Sequence, residues 1–158
     1  MRGIVYPYQI RIRFGGGAEL LPLILCRATS SSKKSISFLG LLDSGAQITL
    51  LPKADAEELG IAIEEGEHVA VGGVGNEELF GYKHLLTLKI GGLSFKAPVV
   101  FADRNDVPRI LGRESVFEKF FLILDEKGRR IAAVRRSKTA ERLFDKEMFE
   151  VLASASYR

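Results

Sequence analysis

The residues best suited to chemistry lie between Leu41 and Pro52, which read Leu-Leu-Asp-Ser-Gly-Ala-Gln-Ile-Thr-Leu-Leu-Pro. An Asp-Ser-Gly triplet alone is an ordinary turn. Here it is wedged between two apolar, strand-like runs, so a carboxyl is carried into an apolar neighbourhood. A carboxylate buried without a partner is costly, and the group must either find partners or hold its proton. Asp43 is therefore read as a catalytic acid, and the rest of the chain has to supply what it works with.

The other reactive side chains read more plainly. His68 and His84 have no cysteine or acid spacing of the kind that makes a metal site, and each reads as a strand histidine. Cys26, the one cysteine, sits in Leu-Pro-Leu-Ile-Leu-Cys and reads as a small buried core residue. Arg129, Arg130, Arg135, Arg136 and Lys138 form a basic group without an aromatic platform, so a solvated hairpin face is expected rather than a nucleic-acid surface. No metal and no organic cofactor are implied.

The elements that must position Asp43 are mostly strands. Ile4, Tyr6, Tyr8, Ile10, Ile12 and Phe14 fall two apart, which predicts one strand over residues 4–14 with a single buried face. Gly15-Gly16-Gly17 turns the chain, and residues 19–27 read as its hairpin partner. Ser35 to Leu42 becomes strand again and delivers the acid. Residues 46–51 form another strand, and Pro52 opens a helix that Gly60 closes. Two strand arms flank Gly72-Gly73-Val74-Gly75, which reads as a mobile glycine-rich tip. His84 to Ile90 and Leu93 to Phe101 form a hairpin about Gly91-Gly92. A short helix is expected from Arg113 to Phe120 and a last hairpin over residues 121–134. Apolar residues at helical spacing predict a final helix from Thr139 to Ala153.

Composition supports one domain. The chain has 158 residues, 46% of them hydrophobic and 27% charged, ordinary values for a globular protein. Its net charge of +3 says nothing decisive about nucleic acid. No run approaches the roughly eighteen apolar residues that a membrane span needs, and the N-terminus lacks the apolar core of a signal peptide. A soluble cytoplasmic protein is expected.

Taken together, Leu-Leu-Asp-Ser-Gly-Ala, the later glycine-rich hairpin and Arg109-Ile110-Leu111-Gly112-Arg113 before a short helix resemble the retroviral-type (retropepsin-like) aspartic proteases. The resemblance covers residues 4–136, in the order and spacing of that family. It implies an all-β, closed-barrel acid-protease fold with two or three short helices, a protease domain over residues 1–136 and a C-terminal helical extension over 137–158. It also implies an aspartic endopeptidase, active as a homodimer on a peptide or protein substrate. In that family each chain supplies one Asp-Thr/Ser-Gly loop, and this chain has one. Asp43, Ser44 and Gly45 would be the catalytic triplet, with Ser44 bonding across the dimer and Gly45 admitting the substrate backbone. Ala46, Gln47 and Ile110 would line the substrate site, and Gly72, Gly73, Val74 and Gly75 would form a flap over it. Retroviral enzymes carry an acid where this chain has Gln47, and that acid pairs with the arginine of the Gly-Arg element. Arg113 is thus expected to find Glu114, Asp103 or Asp106 instead. The competing reading is a catalytically silent dimer of the same fold, serving as a peptide-binding or scaffolding module.

Overall fold

A computed structural model describes residues 3–12, 15–72 and 79–154. The strands are β1 (Gly3–Pro7), β2 (Gln9–Ile12), β3 (Ala18–Leu21), β4 (Leu23–Thr29), β5 (Ser35–Leu42), β6 (Thr49–Leu51), β7 (Glu67–Val71), β8 (Leu79–Ile90), β9 (Leu93–Ala102), β10 (Ile110–Leu111), β11 (Phe120–Asp125) and β12 (Arg130–Arg135). Helix is confined, among the described residues, to α1 (Lys53–Glu58), single turns at Ile63–Glu65 and Arg113–Phe117, and a C-terminal stretch over residues 138–154. None of these helices is long and apolar enough to cross a membrane.

Six strands close into a barrel in the order β4-β5-β10-β6-β9-β8, because β8 pairs back onto β4, and β7 extends the sheet beyond β8. Alternation makes the barrel core. Ile24, Cys26 and Ala28 point inward from β4, Ile36 and Phe38 from β5, and Leu86, Leu88 and Ile90 from β8. Their outward neighbours include Arg27, Ser35 and Ser37, all exposed. A second sheet, β1-β12-β11, stands beside the barrel. Phe120 joins it to the core through an edge-on contact with Phe95, ring centroids 6.2 Å apart.

The N-terminal segment departs from the single strand that its alternation predicts. Residues 4–12 do not run in one sheet: β1 pairs with β12, and among the described residues β2 pairs only with β3. The break lies at Tyr8, whose N–H donates to the Arg129 carbonyl at 2.8 Å and whose hydroxyl donates to Glu126 at 2.9 Å. These bonds hold Tyr8 in the core and send the following residues away from it, so Ile10 and Ile12 are exposed rather than buried. The partner strand is likewise divided, at Pro22, which has no N–H to give a ladder. Other elements lie close to expectation: β5 ends at Leu42, β8 and β9 meet about Gly91, and Gly60 ends α1 with φ of +65°. The turn at Arg113 is shorter than expected, since Phe120 already starts β11.

Candidate active site

Asp43 follows the last residue of β5, at the point where that strand leaves the barrel wall. Its N–H donates to the Leu111 carbonyl at 3.2 Å, and its carbonyl accepts the Ala46 N–H at 3.2 Å. The carboxylate Oδ1 accepts the Gly45 N–H at 2.8 Å, the local bond by which an aspartate closes a tight turn. Asp43 is half-buried, and Ser44 and Gly45 are exposed. The turn is thus fixed from behind and open in front.

The two residues of β10 hold this arrangement. Ile110 and Leu111 pair in parallel with Leu41 and Leu42, and Ile110 pairs antiparallel with Leu50 of β6. Strand β10 therefore lies between the strand that brings the acid in and the strand that takes the chain away. Beyond it, the Arg113 N–H donates to the Ala46 carbonyl at 2.9 Å and the Glu114 N–H to the Gln47 carbonyl at 2.8 Å. The Gly112 N–H donates to the buried Thr49 hydroxyl at 3.2 Å. Backbone of residues 43–47 is thus stitched to 111–114 by three backbone hydrogen bonds. Gly112 has no substitute here: a Cβ would lie 2.4 Å from the carbonyl carbon and oxygen of Ile48.

Sequence reasoning missed an ion pair that anchors this crossover. Arg109 donates through Nε and Nη2 to the two carboxylate oxygens of Asp55, both at 2.7 Å. Asp55 lies in the first turn of α1 and is only 1% exposed. The hydrogen bonds to Asp55 hold the Arg109 guanidinium pKa above its usual value. The Arg109 carbonyl in turn accepts the Leu41 N–H at 2.9 Å, so the pair ties α1 to the start of β10. Asn105 completes the helix start by accepting the Ala54 N–H through Oδ1 at 2.7 Å. The only sequence signal was an acid just inside a helix that opens after proline; its partner lies 54 residues away.

Gln47, Arg113, Glu114, Phe117, Glu118 and Arg136 line an open groove next to the acid loop. The expected pairing of Arg113 with Glu114, Asp103 or Asp106 is not formed among the described residues. Asp106 is held instead by Arg104, and Arg113 stays exposed. An exposed guanidinium is well hydrated and needs no carboxylate. Beneath the groove, Ser115 is buried with φ of +79°, and its hydroxyl has no hydrogen-bond partner among the described residues.

Strands β7 and β8 form a hairpin whose connecting residues include the expected glycine-rich tip. Its ladder runs from Glu67↔Lys83 to Val71↔Leu79. Gly72 is exposed with open space about it, and Gly73, Val74 and Gly75 lie outside the described residues. The histidines have packing roles: His68 stacks on Phe80 with ring centroids 5.5 Å apart, and His84 bonds the Ile63 carbonyl at 2.9 Å. Cys26 is wholly buried, and burial pushes its thiol up to about 12.

Comparison with known proteins accords with this geometry. No curated protein matches the chain. Among solved structures, a retropepsin-like aspartic protease from Rickettsia conorii superposes with a TM-score of 0.55 at 21% identity, covering 84% of this chain and 98% of that one. EIAV protease, solved with an inhibitor, gives a TM-score of 0.45 at 25% identity over 59% of this chain and 82% of its own. A family model described as aspartyl protease matches residues 33–114, a span that holds both the Asp43 loop and the Gly112 crossover. With that span exceeding half of the chain, and a closed barrel of retropepsin-like form around it, the chain belongs to the aspartyl protease family.

Proposed function

We propose that this chain is an aspartic endopeptidase that works as a homodimer, each copy contributing one Asp43. The observation that carries the reading is the acid loop itself. A carboxyl stands at the end of a barrel strand, its turn locked from behind by Leu111 and Gly45 and its front left open. A carboxyl held in a fixed turn yet left accessible can meet a second carboxyl and a substrate. Peptide hydrolysis by carboxyls needs two of them in hydrogen-bond reach, and the sequence has one Asp-Ser-Gly loop. Two-fold symmetry brings each loop against its own copy.

The chemistry then follows from proximity. Two carboxyls that close share one proton, and the pair titrates as a unit. The ionised member takes a proton from a water as that water attacks the scissile carbonyl carbon, and the protonated member gives its proton to the carbonyl oxygen. The tetrahedral diol collapses as the first carboxyl gives its new proton to the amide nitrogen, the second carboxylate takes a proton from a diol hydroxyl and the C–N bond breaks, which returns the pair to its starting state. Ser44 would bond across the dimer, and Gly45 would let the substrate backbone approach. Ala46, Gln47 and Ile110 would line the extended peptide, with Gly72, Gly73, Val74 and Gly75 closing over it. Residues 1–136 would form the catalytic unit and 137–158 a helical extension, which packs back through Phe144 stacked on Phe121 at 4.9 Å.

The test is digestion of denatured protein and peptide libraries between pH 4 and pH 7 beside Asp43→Asn. Cleavage by the wild type alone is expected. Equal cleavage by both proteins, or by neither, overturns the reading.

A further inference from the structure

The β2–β3 hairpin is assembled inside out. Its cross-strand pairs are Ile10↔Leu20 and Ile12↔Ala18 on one face, and Gln9↔Leu21 and Arg11↔Glu19 on the other. The polar face turns toward the barrel. Arg11 lines a cleft with Leu23, Leu39, Leu41 and Pro52, and its Nε donates to Glu19 at 2.6 Å. The apolar face turns to water, with Ile10 68%, Ile12 79% and Leu20 45% exposed. A hairpin that packs on its own protein does the reverse. Moreover β2 and β3 pair with no other strand in the described residues, and a lone two-stranded ribbon is marginal in water. An apolar face displayed in this way marks a surface that is covered by something else.

We infer that the Ile10–Ile12–Ala18–Leu20 face is a dimerisation arm, covered in solution by a second copy of this chain. The inference rests on the reading that the Asp43 site is completed by such a copy, and the placement of the arm selects that occupant. Its root, Pro22, accepts the Leu42 N–H at 3.2 Å, one residue before Asp43. The arm therefore leaves the barrel beside the loop that must face its own counterpart. Under two-fold symmetry a patch near the axis meets the equivalent patch of the other copy, so one self-complementary apolar face serves both chains. On the barrel wall, Leu25 and Leu39, cross-strand partners on β4 and β5, are also exposed.

Sedimentation of the full chain over a range of concentrations tests this. Ile10→Ser/Ile12→Ser/Leu20→Ser is compared with the wild type and with Asp43→Asn. The three side chains are exposed, so the circular dichroism spectrum and urea midpoint of the barrel should not change. A rise in the dimer dissociation constant of about 100-fold is expected for the triple variant, the scale set by losing anchors at the centre of an interface. Ile12→Lys alone should raise it about 10-fold, while Asp43→Asn should dimerise. Unchanged association of both arm variants overturns the inference. So does a wild type that stays monomeric, including one whose arm instead binds lipid vesicles. Because the readout is association, an arm-dependent dimer that cleaves nothing upholds this inference and removes the protease reading. A protease whose dimer ignores the arm variants does the opposite.

Discussion

The Asp55–Arg109 pair makes a sharp prediction because its two members are buried so unequally. Asp55 is 1% exposed, whereas the Arg109 side chain keeps 44% of its surface. Arg109→Met strands a carboxylate that water cannot reach, and removing one partner of a buried pair costs about 3–5 kcal/mol. Asp55→Asn leaves a guanidinium that already touches water and can rehydrate. Its cost is two charge-assisted hydrogen bonds discounted for exposure, about 1–2 kcal/mol. For a domain of this size about 1 kcal/mol moves Tm by roughly 2–4 °C, so Arg109→Met should lower Tm by roughly 6–20 °C and Asp55→Asn by roughly 2–8 °C. The apolar double variant Asp55→Leu/Arg109→Met should recover much of the loss, because no unpaired charge remains. Calorimetry with urea unfolding at constant pH is the assay. The reasoning fails if Asp55→Asn costs as much as Arg109→Met, or if the double variant equals the sum of the single losses.

Other positions give simpler expectations. Gly112→Ala drives a Cβ into the Ile48 backbone and should destabilise by about 1–3 kcal/mol or more, with loss of peptide cleavage; urea unfolding and the library assay check both. Ser115→Gly removes a positive φ and an unbonded buried hydroxyl, and should stabilise by about 1 kcal/mol net of glycine's freedom when unfolded, read as a higher urea midpoint. Cys26 should resist a thiol reagent at pH 8 until the protein is unfolded, since its thiol is buried and pushed up to about 12. Folding favours the neutral thiol, so the stability linked to it is complete below the ordinary value of 9.0 and is lost as pH rises toward about 12. A urea midpoint that falls above pH 9 in the wild type, and falls less in Cys26→Ala, checks the sign.

The acid loop was legible because its signals are local: an aspartate, a hydroxyl and a glycine between two apolar runs. Strands β5, β8 and β9 were legible for the same reason, each carrying its own alternation and its own turn residues. What failed was long-range. Period two runs unbroken from Ile4 to Phe14, yet period alone does not say which sheet receives each residue, and Tyr8 is bonded to a turn over a hundred positions away. The Asp55–Arg109 pair and the Thr49–Gly112 bond join residues 54 and 63 apart, where no sequence pattern points. The acid sought for Arg113 was a different error. Gln47 offers no charge to Arg113, but a surface arginine needs no carboxylate partner.

The central claim is that two copies of Asp43 make one active site, and subunit mixing tests it most directly. Wild type and Asp43→Asn are combined in equal amounts, left to exchange subunits, and assayed on a cleavable peptide at fixed total protein. If both acids are required, only dimers of two wild-type chains are active, and activity falls to about a quarter of the undiluted wild type by random pairing. Activity of about a half, as for chains that each act alone, contradicts the account.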